Sequence, residues 1–393
     1  MSGIPETEFA DRRGRLLGHL AAGGLTGFVI FDDSYIRYLT NFAFLATERP
    51  VALAGNAAGE LMVFVPEFEV ERVRAETDFQ RIESYPEYPG LTHPMRILAG
   101  VLADMGLRDA IGADQDGYPG ILGYAGPSLS DVTGDSVVSV APALEAMLVR
   151  KSAAEVELIR ESGRWCSHAH RLLQAYSVPG ATESEAALRA GHESTLAMYE
   201  ALGSENGQLS SSDGVSAGYR GQIGKRSSWA HAIAHNIEFK AGDVLVSETS
   251  APIWGYNAEL ERAMIVGEPT DEMRRLFDHM LGARAAAFEA LRPGVLCADV
   301  DEAVLAYFEE NNILPYWQQH TGHAIGLRNH EAPFLDVGDF TPVEAGMVFT
   351  IEPGVYDFEL GGFRHSDTVL VTPDGIEILT SYPTELDELT IPA

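Results

Sequence analysis

The segment His320–Pro333, HTGHAIGLRNHEAP, constrains this chain more than any other. His323 and His330 flank a glycine-containing turn, and Glu331 follows the second histidine at once. Further along, FTIEPGVY places Glu352 directly before a Pro-Gly pair. Upstream, AGDVLVSETSAPIWGYNAELERAMIVG (Ala241–Gly267) carries Glu248, Glu259 and Glu261. The run Tyr256–Val266 alternates like a strand, so Glu259 and Glu261, two apart, point to one face.

At 393 residues the chain is long enough for two domains with substantial cores. No apolar run reaches the length of a bilayer span. The beginning, MSGIPETEFADRRGRLL, is charged before any apolar stretch, unlike a signal peptide. Cys166 and Cys297 are too few and too far apart for a disulfide framework or a zinc site, and read as buried free thiols of a cytoplasmic protein. Net charge is −31, with three lysines among 27 basic residues. Such a field repels nucleic-acid phosphates and anionic membranes, which argues against both as partners.

The first part alternates short apolar runs with helical spacing. Thr26–Asp32, Pro50–Gly55 and Leu61–Pro66 read as strands, and Arg12–Ala22 and Pro66–Glu76 as helices, a pattern for an α/β domain with a mixed sheet. That domain ends near Leu144–Leu148, ahead of an amphipathic helix in Val149–Ser162. Then Thr182 with Glu185 forms a capping-box signal for a helix to about Leu202. A Gly/Ser-rich loop spans Gly203–Gly221, followed by strands at Val244–Thr249 and Tyr256–Val266. Thr270 caps a helix that ends before Pro293 and Gly294, and another covers about Asp299–Asn311. Val348–Glu352, Thr368–Thr372 and Ile376–Leu379 complete the strands. Paired strands separated by helices favour an α+β domain.

These motifs resemble the pita-bread hydrolases: Xaa-Pro peptidases, methionine aminopeptidases, creatinases and relatives. The likeness is strongest from Val149 to Tyr382. It implies an α+β pita-bread catalytic domain over 149–393, preceded by a smaller α/β creatinase-type N-terminal domain over 1–148, and a homodimer formed through N-domain contacts. In the metal-dependent members, two aspartates, one histidine and two glutamates hold a pair of divalent ions. Those positions fall here on Glu248, Glu259, His323, Glu352 and, within GGFRHSDTVLV, Ser366. Two ligands are retained, two are lengthened by a methylene, and one is lost as a charge. Bridging carboxylates are what hold two ions a few ångström apart, so the expectation is a metal-free site without a cofactor. A single ion on Glu248, Glu259, His323 and Glu352 stays open.

Crowded carboxylates raise one another's pKa unless a cation enters, and without a metal that cation would be a guanidinium, amidinium or ammonium group of the substrate. The resemblance to creatinase gives His231, twelve positions before Asp243, the acid–base role. It gives Glu261 and Glu352 the grip on a substrate cation, and Arg49 in ATERP a contact to the substrate carboxylate of a neighbouring subunit. The likeness departs at His330, where creatinase has a second carboxylate-binding arginine, and at Glu248 and Glu259, where creatinase has no acid. Ectoine hydrolases, also metal-free, resemble this chain in a glutamate at the Glu248 position, where it acts as nucleophile.

The expected function is therefore a metal-independent hydrolase of a C–N bond in a small cationic or zwitterionic compound. Its expected catalytic residues are His231, Glu261, Glu352 and Glu248, and its substrate-binding residues Glu259, His323, His330, Arg49 and Arg364. His231 would relay protons, and His323 and His330 would donate to the oxyanion. Arg364 and Asp367 are expected to form a buried ion pair, with His365 a candidate to replace the lost glutamate. Each histidine alone would read as a core or turn residue; their spacing beside Glu352 favours function. The alternatives are a metal-dependent Xaa-Pro peptidase with an unusual ligand set, and a binding protein without catalysis.

The lysine-poor, acid-rich composition fits a salt-adapted cytoplasm, while arginine in place of lysine also follows from GC-rich coding. Salt adaptation predicts greater unfolding stability in molar than in low salt. Equal stability in both, by thermal or urea unfolding, would count against it.

Overall fold

Glu6–Ala22 is helical because its apolar residues recur at helical spacing, burying Phe9, Leu16 and Leu20 in one stripe with Arg12. The buried Arg12 guanidinium lies over the Tyr38 ring, 4.1 Å from its centroid, and donates to the Tyr38 carbonyl at 2.9 Å. The computed structural model describes residues 3–203 and 214–393. The chain forms two compact units, Ile4–Leu148 and Val149–Ala393.

In the first unit six strands form a mixed sheet. Their spatial order is Arg81–Tyr85, Leu61–Pro66, Ala52–Asn56, Gly27–Ile30, Ala110–Ala113 and Ser136–Ser139. The two central pairings, of Ala52–Asn56 with each neighbour, are antiparallel and the outer ones parallel. Val29, Phe31, Ala54, Met62, Phe64, Leu98, Leu102 and Ile111 fill one core. The helix expected over Pro66–Glu76 begins as a 3-10 turn, Glu67–Glu69, before Val70–Glu76.

The second unit opens on helix Ala153–Tyr176, started by a reciprocal capping box of Ser152 and Glu155. Thr182 and Glu185 form the same box before Glu183–Leu202, and Thr270 caps Asp271–Ala290. Helix Cys297–Glu310 follows. The main sheet runs Glu331–Leu335, Gly322–Ala324, Val348–Ile351, Ser366–Thr372, Glu259–Glu261, Glu248–Ser250 and Ser216–Gly218, with Gly375–Ile378 also paired to Ser366–Thr372. Its pairings are antiparallel. A smaller sheet orders Thr390–Ile391, Ala263–Val266 and Val244–Val246.

Two expectations need correction here. The strands expected over Val244–Thr249 and Tyr256–Val266 each break at one residue, Ser247 and Arg262, and their halves join different sheets. The cause is local. The Arg262 amide donates to the Ser247 hydroxyl (3.1 Å), which itself donates to the Arg262 carbonyl (3.1 Å). A side chain thus takes a place in the backbone ladder, and the strands bend apart beyond it. The loop expected over Gly203–Gly221 lies partly outside the described residues, and its described end supplies the strand Ser216–Gly218.

Among the described residues no helix is long and apolar enough to cross a membrane. One buried ion pair shapes the second unit: Lys151 Nζ lies 2.6 Å from Glu331 Oε2, both side chains 1% exposed. The other Glu331 oxygen accepts the Arg328 amide at 3.0 Å, which anchors the turn bearing His330. Removing one partner of such a pair strands the other charge. Glu331→Gln should therefore lower the unfolding free energy by about 3–5 kcal/mol. Urea denaturation measures this, and a loss under about 1 kcal/mol would show that the pair is not needed.

Candidate active site

Glu259, Glu261 and Glu352 bring carboxylate oxygens within 4.8 Å of one another, and Glu259, His323 and His330 do the same with one oxygen and two ring nitrogens. Strands of the main sheet, and the residues just beside them, supply these groups. Glu259 and Glu261 share a three-residue strand beyond the Arg262 break. Glu352 follows Val348–Ile351, where Pro353 has no amide to continue the ladder. Its own amide donates to the Thr321 carbonyl at 2.8 Å. His323 lies in Gly322–Ala324, a strand that packs close because residue 322 has no side chain. A Cβ there would sit 2.0 Å from the Thr350 carbonyl oxygen.

The cluster is largely dry: Glu259, Glu261, Glu352 and His323 are all buried. It carries its own cations. Arg364 bonds both oxygens of Glu261, through Nε to Oε2 and through Nη2 to Oε1 at 2.6 Å. The same Nε stands 3.8 Å from Glu352 Oε2. Arg220 Nη2 lies 2.6 Å from Glu248 Oε2 and 3.6 Å from Glu261 Oε1. His323 Nε2 is 3.2 Å from Glu352 Oε1, and its Nδ1 is 3.0 Å from the Ala324 carbonyl. Among the described residues Glu259 has no arginine or lysine partner; its side chain accepts a bond from the Ser366 hydroxyl at 2.8 Å, and the charged His323 ring is its basic neighbour.

Burial and the neighbouring Glu352, Glu261 and Glu248 therefore hold the Glu259 carboxyl well above the usual carboxylate range. Burial also raises Glu261, to about 7, with Arg364 acting against the rise. Burial opposes a charge on His323, yet the Glu352 carboxylate and then Glu259 raise its pKa to about 9. Glu352, whose burial works the other way, is brought down to about 2 by His323 and Arg364. The His330 ring stacks on His323 with centroids 3.8 Å apart. Its pKa is lowered by burial and by that charged neighbour, with a smaller contribution from His231.

The second unit thus gathers Glu248, Glu259, Glu261, His323, His330, Glu352 and Arg364. His231 is exposed, on the segment after the 3-10 turn Gly224–Ser228, within electrostatic reach of His330. Arg49 belongs to the first unit, where it pairs with Glu48 and Glu87 rather than standing free. Glu248, expected as a nucleophile or water anchor, is held by Arg220. His323, expected to donate to an oxyanion, already engages both ring nitrogens.

The expected Arg364–Asp367 pair is also corrected. Asp367 is bound by Arg262 (3.0 Å) and Arg284 (2.6 Å), while Arg364 serves Glu261. Arg364 ends the strand Gly361–Arg364 of a two-stranded sheet, whereas Asp367 lies in Ser366–Thr372 of the main sheet. His365 does not replace the lost glutamate: the Ala263 amide donates to its Nδ1 at 3.1 Å, and its Nε2 is 3.1 Å from the Thr384 carbonyl. Sequence reasoning missed Arg220. The only signal for it was the need for counter-charge, which does not say which arginine in the loop supplies it.

Comparison with known proteins agrees with this geometry at the level of fold. Residues 157–373 match the model of metallopeptidase family M24, and residues 12–147 that of the creatinase/prolidase N-terminal domain. A probable dipeptidase PepE of Mycobacterium tuberculosis is 28% identical over 381 residues, covering 96% of each chain. An Xaa-Pro dipeptidase of Pyrococcus furiosus is 36% identical over 163 residues, 42% of this chain and 47% of that protein. The crystal structure of dipeptidase PepE from Mycobacterium ulcerans superposes with a TM-score of 0.80 at 25% identity, covering 100% of both chains. The fold is accordingly the two-domain pita-bread architecture.

The His323–Glu352 pair makes stability depend on pH in a definite direction. The His323 pKa rises on folding from 6.5 to about 9, so its contribution is complete below about pH 6.5 and is lost as pH rises through 9. That of Glu352 falls from 4.5 to about 2, so its contribution is complete above about pH 4.5 and is lost as pH falls through 2. His323→Gln should flatten a decline in unfolding free energy between pH 6.5 and 9. An unchanged slope in urea titrations over that range would disprove the assignment.

Proposed function

The chain belongs to metallopeptidase family M24 and is a peptidase-type hydrolase of C–N bonds, and we propose that it cleaves dipeptide-sized amides at the centre formed by Glu259, His323 and His330. Relatives that span nearly the whole chain and are named dipeptidases support that substrate size. The reading of a small cationic substrate loses its main argument, because Arg220, Arg364 and His323 already face Glu248, Glu261 and Glu352.

The pair of ions used by metal-dependent relatives does not fit these residues. Ser366 offers a hydroxyl where a bridging carboxylate is needed, and that hydroxyl is spent on Glu259. Glu248 is engaged by a guanidinium. The observation that carries the proposal is the juxtaposition of Glu259 and His330, whose polar atoms lie within 4.8 Å of one another. Glu259 is a buried acid held well above the usual carboxylate range, and His330 is an imidazole held below its usual value beside a charged one. Environments that push two titratable groups apart in this way make an acid and a base. His330 takes a proton from the attacking water, with His231 passing it to solvent. Glu259 gives its own proton to the departing nitrogen, so the C–N bond breaks to release an amine rather than an amide anion, and it regains a proton from solvent through His231 and His330 before the next cycle. His323 keeps Glu352 charged and the His330 ring in place.

A second reading is supported by the same 4.8 Å grouping: one divalent ion held by Glu259 and His323 together with His330. The two readings separate by elemental analysis for Mn, Co and Zn, with assays on Xaa-Pro and other dipeptides before and after chelation. The proposed chemistry predicts activity that survives chelation and falls about 10²–10⁴-fold in His330→Ala and in Glu259→Gln. Chelator-sensitive activity with stoichiometric metal selects the single ion. Absence of turnover on every dipeptide ends the substrate assignment.

A further inference from the structure

We propose that Arg220 is a resident counter-ion that withholds Glu248 from divalent metal. The inference rests on the misfit of the two-ion centre and is independent of which C–N substrate is cleaved. One Arg220 nitrogen approaches two carboxylates, Glu248 at 2.6 Å and Glu261 at 3.6 Å, the bridging arrangement otherwise asked of a cation. Arg364 spans Glu261 and Glu352 on the other side.

The turn that carries Arg220 is built rather than loose. Arg220 has a φ of 50°, in the left-handed region that residues with a Cβ seldom adopt, and Gly221 follows at 76°. On one flank Tyr219 is buried, with its hydroxyl against that of Ser177. On the other, the Gly221 amide donates to Glu183 at 3.0 Å, and the Arg226 side chain donates to the Gly221 carbonyl at 3.3 Å. A Cβ on Gly221 would lie 2.2 Å from the Ile233 carbonyl oxygen, so the chain passes here with no room to spare. These contacts hold the residue 220 backbone at the end of the strand Ser216–Gly218, whose Gly218 is paired to Glu248. The guanidinium is thereby brought to the carboxylate of the neighbouring strand, and a metal ion competing for Glu248 must displace a charge already paired with it.

The test compares Mn²⁺ binding, by calorimetry on the full chain, between wild type, Arg220→Ala and Arg220→Gly; glycine adopts the left-handed turn without strain. Arg220→Lys, which keeps the charge, should behave as wild type. The expected result is that both neutral variants bind Mn²⁺ at least tenfold tighter than wild type, or bind one further equivalent. Adding Ser366→Glu to Arg220→Gly should strengthen binding again. Equal affinity and stoichiometry in wild type, Arg220→Ala and Arg220→Gly would overturn the proposal. Dipeptide turnover is measured on the same samples, so an error in the substrate shows as missing activity while the metal comparison stands.

Discussion

The catalytic unit depends on one buried charge, the guanidinium of Arg262. It sits at the break between two sheets, 1% exposed, and donates to the carbonyls of Glu261, Ser366, Tyr382 and Pro383 as well as to Asp367. A charge that far from water is tolerable only when paired and fully hydrogen-bonded. Asp367 supplies the pairing, itself steadied by Arg284 and the Thr380 hydroxyl. Because Arg262 binds the backbone on both sides of the break, it holds Glu261 and Ser366 in register across the pocket.

The pocket itself is a problem in charge balance. Among the described residues three buried glutamates converge, with Glu248 beside them and partly exposed, and each needs a cation, a proton or solvent. The fold answers differently for each one. Glu261 receives Arg364 in a two-point contact, Glu352 receives His323, and Glu248 receives Arg220 at the more open edge. Glu259, bonded to the Ser366 hydroxyl, is held well above the usual carboxylate range by burial and its acidic neighbours. An internal set of cations leaves less for a substrate to neutralise, which moves the functional reading from small cations towards dipeptide-sized amides.

Much of the architecture was legible in the sequence. The capping signals at Thr182–Glu185 and Thr270 start helices where expected, because caps are local chemistry. The spacing of His323, His330 and Glu352 pointed to residues that the structure gathers, since they sit on or beside short strands of one sheet. The strand breaks at Ser247 and Arg262 were not legible, because alternation continues through them and only a side-chain hydrogen bond interrupts the ladder. The partner of Asp367 was misassigned for a related reason. Nearness in sequence suggested Arg364, but the chain changes sheets between the two residues, and Arg262 and Arg284 reach Asp367 instead.

The sequence by itself determined an α/β domain followed by an α+β domain, since periodicity and caps are properties of short segments, and its motifs carried the resemblance that implied the pita-bread fold. The resemblance also implies that Ser366 stands where metal-dependent members carry a ligand. Only the tertiary structure decided which cation meets which carboxylate. Arg220 and Glu248, or Arg364 and Glu261, are joined across strands distant in the chain. Electrostatic pairing depends on distance and burial in space, and neither is written in the order of residues.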